Sequence, residues 1–259
     1  MYNKDMNENT VLEVENLNVF YKNNKSSLFS QNKKIQALFD VSLSMEEGEV
    51  LAIAGESGSG KSTLARPRVG INRDYTGRIT KKYENDTPQM VFQDPYSSLN
   101  PAKKIGWLLK EPLRVDRNKK WTATEMDIRV KEIMEEIELP MSMLERSPAQ
   151  LSGGQRQRIC IGIALMRSPK LLIADEPVSA LDVTIQAQIL ELLENLHKKH
   201  GISIIFISHD LRVVYKISDH VMIMKDGRVV EYGKTRDVYL NPQHEYTSQL
   251  LKAAGIIQE

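Results

Sequence analysis

Residues 50–62 read VLAIAGESGSGKS, an unbroken apolar run that leads directly into a glycine-rich turn ending in lysine and serine. The apolar run predicts a strand buried on both faces, as strands of parallel sheets are. The turn fits the pattern G-x-x-x-x-G-K-[ST] in the strand-to-helix context that a phosphate-binding loop requires. Its glycines let backbone N–H groups close around phosphates, and the following helix directs its N-terminal partial positive charge at them. The stretch predicts an α/β fold of the P-loop NTPase class.

This phosphate loop supplies candidate ligands for a nucleoside triphosphate. Lys61 is expected to contact the β- and γ-phosphates, and the Ser62 hydroxyl is expected to coordinate Mg²⁺. The candidate nucleotide-binding residues in and beside the loop are Gly55, Ser57, Gly58, Ser59, Gly60, Lys61, Ser62 and Thr63. The alternative is a Gly/Ser-rich connector with an incidental lysine, which the match over the whole motif after an apolar strand disfavours.

Strand and helix patterns alternate on both sides of this stretch. Residues 11–21 and 37–44 predict N-terminal strands, and residues from about 95 to 168 predict helices, with a capping box at Thr122 and Glu125. The later predicted elements are a strand at 171–174, a helix over 185–196 that Gly201 can end, and a strand at 202–208. This order predicts a mostly parallel α/β core with a β-rich N-terminal margin and a helical insert.

The composition is that of an ordinary globular protein. The 259 residues are 41% hydrophobic and 27% charged, which disfavours disordered, collagen-like and coiled-coil proteins. The balance of 35 basic and 34 acidic residues gives no electrostatic footprint for nucleic acid.

The sequence predicts a cytoplasmic location. Its apolar runs are far shorter than the roughly 20 residues of a membrane-spanning helix. Its polar N-terminus lacks the basic-then-apolar order of a secretory signal. The single cysteine, Cys160, excludes an internal disulfide and is expected to be a small core residue.

Two carboxylates follow the predicted strand at 171–174. Asp175 and Glu176 would stand at the carboxyl end of a buried strand, where ligands collect in open α/β sheets. Asp175 is expected to bind Mg²⁺, directly or through water, and Glu176 to orient or deprotonate an attacking water. An acidic pair at a strand end is by itself more often solvated surface, so the functional interpretation depends on the phosphate loop.

Residues 151–155, LSGGQ, form a second candidate anion site. They precede a predicted helix at about 156–167, and a serine with two glycines at a helix start exposes N–H groups and a hydroxyl. The alternative is an ordinary helix cap with a flexible lead-in.

The pairing of a phosphate loop with LSGGQ resembles the ATP-binding cassette of ABC transporters. Further motifs match in family order over nearly the whole chain. They are Tyr21 as the adenine-stacking aromatic, Gln93 in the Q-loop, Asp182 in the D-loop and His209 as the switch histidine. The resemblance implies ATP as the nucleotide and a head-to-tail dimer. In that dimer each ATP lies between the phosphate loop of one subunit and the signature of the other.

The resemblance also implies a role for each matched residue. The implied catalytic residues are Lys61, Glu176, Gln93 and His209, and the implied Mg²⁺ ligands are Ser62, Gln93 and Asp175. The residues implied to contact ATP bound to the partner chain are Ser152, Gly153, Gly154 and Gln155, with Asp182 along the dimer seam. Tyr21 taken alone is more often a half-buried sheet aromatic.

The same resemblance divides the chain. It implies a single ABC ATPase domain over 1–259, in which 10–93 and 169–240 form a RecA-like core with an antiparallel β-subdomain. Residues 94–168 are the expected helical signature subdomain, and 241–259 the expected C-terminal tail.

Three longer stretches resemble the subgroup that energises import of dipeptides, oligopeptides and nickel: residues 93–101, 177–188 and 244–251. The implied partners are a sister ATP-binding subunit, two membrane permeases and an extracytoplasmic substrate-binding protein. The implied location is the cytoplasmic face of the membrane. Peptide is the expected substrate, and nickel or a metal chelate is the alternative.

Some features depart from the family pattern. Pro67, between Arg66 and Arg68, falls in the helix expected after the phosphate loop, where proline removes a donor and clashes with the preceding turn. The chain between Gly77 and Gln93 is short, which predicts a trimmed hairpin. No cysteine follows residue 251, so no iron–sulfur cluster is expected.

Two rival functions stay open at this point. The first is an ABC-type ATPase acting on DNA or ribosomes. The single cassette and the compact insert between Lys61 and Ser152 disfavour it. The second is a non-hydrolysing nucleotide-binding regulator, which the presence of Glu176, His209 and a full signature disfavours.

Overall fold

The computed structural model describes residues 9–22, 34–65, 74–82, 87–179 and 181–257. Its strands are β1 (Thr10–Lys22), β2 (Lys34–Glu46), β3 (Val50–Ala54), β4 (Tyr75–Lys81), β5 (Gln89–Val91), β6 (Leu171–Asp175), β7 (Ser203–Ile207), β8 (His220–Lys225) and β9 (Arg228–Lys234). Its α-helices are α1 (Lys61–Ala65), α2 (Pro95–Ser98), α3 (Ile105–Arg114), α4 (Ala123–Glu136), α5 (Gly153–Leu165), α6 (Val183–His200), α7 (Leu211–Ile217), α8 (Thr235–Leu240) and α9 (Glu245–Ala253). Short 3-10 helices cover Met141–Glu145 and Pro148–Gln150. The chain forms two compact units, residues 1–84 with 203–259 and residues 85–202.

The first unit contains an antiparallel sheet in the order β2-β1-β4. Apolar side chains of β1 fill its buried face; they are Leu12, Val14, Leu17 and Val19. The alternation slips by one position between Val14 and Leu17, where the β1–β2 register shifts and Asn16 takes a φ of 49°. This sheet confirms the strands predicted at 11–21 and 37–44.

A second, mostly parallel arrangement in the first unit carries the phosphate loop. Strand β3 lies between β7 and β8 and is parallel to both, with Ile53 paired to Ile207 and to Met222. Strand β9 pairs antiparallel with β8. All five residues of β3 are buried, which accounts for the unbroken apolar run in the sequence. Together with the antiparallel sheet, this arrangement confirms the predicted α/β class.

The second unit is mainly helical and also holds strands β5 and β6, which pair parallel. Helix α5 approaches its neighbours closely at Gly162, where a Cβ would lie 3.0 Å from Ile133 and from Ile137. Cys160 is buried on the same helix, and burial raises the pKa of its thiol to about 12. The expectation of a small core cysteine is confirmed.

Helix ends in the second unit follow the sequence signals. Thr122 and Glu125 form the predicted capping box of α4, and Gly201 ends α6 in a left-handed conformation with φ 61°. Helix α6 is amphipathic, with one face buried. In the part of the chain that the structure describes, no helix is both long and apolar enough to cross a membrane.

The signature helix differs from its predicted bounds. The sequence placed its start near Arg156, whereas α5 already begins at Gly153 and ends at Leu165. The reason is a second capping box, between Ser152 and Gln155, which starts the helix within LSGGQ itself.

Several predicted features lie outside the described residues. They are the polar segment at 23–33, Pro67 with its flanking arginines, and residues 83–86 of the shortened hairpin. The assignment of 94–168 as a separate subdomain and of 241–259 as a tail stays a prediction.

Candidate functional site

The phosphate loop leaves the end of β3 and depends on glycine at two close approaches. A Cβ on Gly55, at φ 145°, would lie 2.2 Å from the carbonyl oxygen of Met224. A Cβ on Gly60, at φ 101°, would lie 2.8 Å from Leu38 Cδ2. Both φ values are positive, a conformation that glycine adopts without the steric cost of a side chain. The loop is therefore packed against the β8 backbone at its start and against β2 at its end.

Lys61 is almost fully buried, with 5% of its surface exposed. Its Nζ donates hydrogen bonds of 2.8 Å to the carbonyl oxygens of Gly55 and Glu56. The loop is closed further by bonds from Ser59 N–H to Glu56 O, at 3.2 Å, and from Gly227 N–H to Ser59 O, at 3.0 Å. The buried hydroxyl of Ser59 has no hydrogen-bond partner within the described residues. An unpartnered buried hydroxyl and a buried ammonium in the same loop suit a loop that receives an anionic ligand.

The other candidate residues in and beside the loop differ in their exposure. Ser57 and Gly58 are exposed, whereas Ser62 and Thr63 lie half-buried in the first turn of α1. The hydroxyl of Tyr21 donates to Thr63 Oγ1 at 3.5 Å. The candidate adenine-stacking aromatic is thus brought next to the turn that follows the phosphate loop.

In the second unit, the Q-loop and the acidic pair meet. The side-chain amide Nε2 of Gln93 donates a hydrogen bond of 3.0 Å to Glu176 Oε2. Asp94, the next residue, caps α2, and the N–H group of Tyr96 lowers the pKa of the Asp94 carboxyl by bonding to it. The cap fixes the backbone immediately after Gln93. It thereby helps to hold the side-chain amide of Gln93 close to Glu176.

Asp175 and Glu176 occupy different environments although they are adjacent. Asp175 ends β6 and is only 6% exposed, whereas Glu176 is half-buried in the turn that follows. Glu176 takes a φ of 47°, a left-handed conformation that is uncommon for a residue with a side chain. The turn is held by Ser179, whose N–H and hydroxyl both donate to Glu176 O, at 3.3 and 3.1 Å. Strained backbone of this kind is concentrated at functional sites.

The signature forms the N-terminus of α5. Ser152 Oγ accepts the N–H of Gln155 at 3.3 Å, and the Ser152 N–H donates to Gln155 Oε1 at 3.0 Å. A Cβ on Gly154 would lie only 2.6 Å from Ile185 Cγ2, so this glycine lets α5 approach α6. Gly153 is less constrained, because a Cβ there would lie 3.4 Å from its nearest neighbour, Leu181 Cδ2. The signature and the D-loop are therefore neighbours in this unit.

Arg156 has a role that the sequence did not reveal. Its Nε donates to the carbonyl oxygen of Pro148 at 2.7 Å, and its guanidinium lies 3.8 Å from the ring centre of Tyr96. The first contact fixes the segment that precedes the signature, and the second ties it to α2 next to the Q-loop. The signal available in the sequence was only an arginine two positions after the signature glycines.

Asp182 and His209 lie at the starts of later helices. Asp182 caps α6 by accepting the Ile185 N–H at 3.0 Å, so it has a local structural role. His209 is exposed in the turn after β7. The residue before it, Ser208, donates its N–H to Ile53 O of β3 at 3.2 Å. This bond places the candidate switch histidine close to the end of the strand that leads into the phosphate loop.

Tyr246 lies in the C-terminal stretch 244–251, for which the sequence indicated no role in the site. It lies on α9, and its hydroxyl accepts the N–H of Glu56 at 3.3 Å. The two residues are 190 positions apart, so no local pattern could have paired them.

The candidate Mg²⁺ ligands offer hard oxygen atoms. They are the Ser62 hydroxyl in the first unit, and the Gln93 amide and the Asp175 carboxylate in the second unit. Among the described residues, no group of three or more His, Cys, Asp or Glu side chains could hold a metal. Mg²⁺ is typically bound by one or two carboxylates together with substrate phosphates.

Comparisons with known proteins show which family the chain resembles. The ABC transporter family model matches residues 38–179. The dipeptide transport ATP-binding protein DppF of Haemophilus influenzae is 46% identical over 88% of this chain and 73% of its own. The oligopeptide transport ATP-binding protein OppF of Escherichia coli is 43% identical over 95% of this chain and 78% of its own.

Solved structures give the same result. The dimeric ATP-binding cassette MJ0796, in a post-hydrolysis state bound to ADP and Pi, has a TM-score of 0.72 and 28% identity. It covers 87% of this chain and 99% of its own. CbiO1 of Clostridium perfringens, part of the transporter complex cbiONQ, has a TM-score of 0.73 and 28% identity, covering 95% of this chain and 96% of its own. The chain therefore belongs to the ABC transporter family, as one of its ATPase subunits.

Proposed function

We propose that this chain hydrolyses ATP to power the import of dipeptides or oligopeptides across the cytoplasmic membrane. The observation that carries the proposal is the closed phosphate loop around buried Lys61, in a chain that shares more than two fifths of its residues with peptide-transport ATPases. The family implies ATP as the nucleotide, and the loop chemistry suits a triphosphate.

In this proposal the loop binds the phosphates of ATP. Its N–H groups and the start of α1 attract the anionic phosphates, and Lys61 supplies a positive charge. The Lys61 ammonium already lies inside the loop, held by the carbonyl oxygens of Gly55 and Glu56. A phosphate oxygen takes over one of these bonds when ATP binds. Tyr21, next to Thr63, is assigned to the adenine.

Glu176 is the proposed catalytic carboxylate. Its carboxylate accepts a proton from, or orients, the water that attacks the γ-phosphate, which is general-base catalysis. Gln93 positions this carboxylate through the 3.0 Å bond from its amide. His209 is assigned to the γ-phosphate. Phosphoryl transfer depends mainly on such positioning and on charge stabilisation.

Mg²⁺ is assigned to the Ser62 hydroxyl, the Gln93 amide oxygen and the Asp175 carboxylate. When bound, the ion neutralises charge on the phosphates. Burial of Asp175 favours this assignment, because a buried carboxylate is stabilised by a cation.

The signature residues Ser152, Gly153, Gly154 and Gln155 are assigned to ATP on a partner subunit, and Asp182 to the dimer seam. The helix start that they form exposes Ser152 at the protein surface, as a contact between subunits requires. The proposed partners are a sister ATP-binding subunit, two membrane permeases and an extracytoplasmic substrate-binding protein. The proposed location is peripheral, on the cytoplasmic face of the membrane.

The test is ATP turnover by the purified complex with its membrane subunits. We expect a binding protein loaded with a di- or oligopeptide to raise turnover several-fold, and a nickel-loaded one to leave it unchanged. Stimulation by nickel or a metal chelate alone would overturn the assignment to peptides. Failure to co-purify with any membrane subunit would overturn the assignment to transport.

A further inference from the structure

The C-terminal motif HEYTSQLL at residues 244–251 has no part in the proposed function, yet its tyrosine reaches the phosphate loop. Tyr246, on α9, accepts the backbone N–H of Glu56 at 3.3 Å. We propose that Tyr246 is a positioning residue for ATP binding, which acts on Lys61 through the peptide group that joins Gly55 to Glu56. This inference rests on the proposed function of the loop.

The link between Tyr246 and Lys61 is one planar group. The N–H of Glu56 and the carbonyl of Gly55 belong to the same peptide unit, whose atoms lie in one plane. The N–H end is held by Tyr246, and the carbonyl end accepts Lys61 Nζ at 2.8 Å. Rotation of this peptide would break both bonds together. The tyrosine hydroxyl therefore fixes the direction of the carbonyl that holds the lysine.

Tyr246 is itself held rigidly. It is 5% exposed and packs in a cluster with Val238, Tyr239 and Leu251. The ammonium of Lys225, at the end of β8, lies 4.6 Å from the centre of the Tyr246 ring. Burial raises the pKa of the phenol, so the hydroxyl stays protonated and neutral at physiological pH.

The start of α9 is anchored independently of the loop. The Glu231 carboxylate on β9 accepts the N–H groups of Gln243 and His244, at 2.8 and 3.1 Å. His244 Nδ1 then accepts the N–H of Tyr246 at 3.1 Å and caps the helix. These bonds place Tyr246 before any nucleotide is bound.

The loop is fixed on its opposite side as well. Gly55 packs against Met224 O, where no Cβ could fit, and Ser59 O accepts the N–H of Gly227. Together with these contacts, the bond to Tyr246 holds the first residues of the loop in one orientation. A preorganised loop binds phosphate without first ordering itself, so its affinity for ATP is higher.

The test compares Tyr246→Phe with Tyr239→Phe in the assembled transporter. Tyr239 is a matched control, because it is buried in the same cluster but donates its hydroxyl to Leu211 O, at 2.7 Å, away from the loop. We expect Y246F to raise the KM and the Kd for ATP about three- to tenfold, as loss of one hydrogen bond implies, with kcat changed by less than about twofold. Y239F should leave both KM and Kd unchanged.

A second readout does not depend on activity. The amide hydrogen of Glu56 should exchange faster in Y246F than in wild type or Y239F, measured without nucleotide. If Y246F does not fold, Glu231→Ala takes its place, because it releases the anchor of α9 and leaves the tyrosine itself intact. It should raise the KM for ATP, while Glu231→Gln, which keeps a carbonyl acceptor, should raise it less.

Unchanged KM and unchanged Glu56 exchange in Y246F would overturn the inference, as would equal effects of Y246F and Y239F. Lys61→Ala separates this failure from failure of the proposed site. If K61A abolishes ATP binding and Y246F does not alter it, only the role of Tyr246 is wrong. If K61A binds ATP normally, the assignment of the loop is wrong as well.

Discussion

The amide of Gln93 and the carboxylate of Glu176 are joined by a hydrogen bond of 3.0 Å, although the two residues are 83 positions apart. The bond holds the Glu176 side chain in one orientation. A carboxylate that is positioned in this way is prepared to act on water.

Replacing Glu176 with Gln should remove the base and preserve the geometry. The glutamine carbonyl can still accept the bond from Gln93, but it cannot take a proton from water. General-base catalysis contributes about 10²- to 10⁴-fold, so ATP turnover should fall by at least about 100-fold with little change in Kd for ATP. Steady-state hydrolysis and equilibrium binding measure the two quantities. Glu191→Gln, at an exposed position of α6, is the control, and wild-type turnover in E176Q would reject Glu176 as the base.

Gln93→Glu should slow hydrolysis by disrupting the contact with Glu176. A glutamate has no N–H group to donate to Glu176 Oε2, and its negative charge repels the Glu176 carboxylate. Loss of a hydrogen bond to a charged group corresponds to about 10- to 100-fold, so kcat should fall by about that factor. Gln93→Ala adds no charge and should lower kcat less. Steady-state hydrolysis at saturating ATP measures kcat, and a wild-type kcat in Q93E would contradict the contact.

Gly154→Ala should destabilise the second unit more than Gly153→Ala does. The added methyl would lie 2.6 Å from Ile185 Cγ2 in the first case and 3.4 Å from Leu181 Cδ2 in the second. Overpacking of this kind costs about 1–3 kcal/mol, and Ile185 relaxes little because β-branched side chains have few rotamers. Urea unfolding of both variants measures the difference. Equal midpoints would show that α5 and α6 do not approach closely at Gly154.

Cys160 should resist thiol reagents in the folded protein. Burial raises the pKa of its thiol to about 12, so almost none is ionised at pH 8, and the thiolate is the reactive form. Labelling with a chromogenic disulfide should be at least about 100-fold slower in buffer than in urea. Rapid labelling of the native protein, with circular dichroism unchanged, would place Cys160 outside the core.

Local sequence patterns predicted the strands and helix ends whose formation depends on neighbouring residues. The apolar run at 50–54 matches β3 residue for residue, and the cap of α4 and the glycine end of α6 follow from short-range signals. The start of α5 was missed, although Ser152 and Gln155 have the same spacing as the capping box of α4. The glycines of LSGGQ hid that signal, because glycine is a poor helix former.

Long-range contacts could not be predicted in this way. The pairing of Tyr246 with Glu56 and the fit of Gly154 against Ile185 depend on how distant elements pack. The sequence shows only that a tyrosine or a glycine stands at the position. The family resemblance assigned Gln93 and Glu176 to the same site, but only the structure shows the bond between them.

The most direct test is uptake of a labelled oligopeptide into vesicles that contain the complete transporter, with ATP on the side of this subunit. Wild type should accumulate the peptide when ATP is present, and transporters carrying Lys61→Ala or Glu176→Gln should accumulate none. Equal accumulation with and without ATP, or with either variant in place of wild type, would contradict the account.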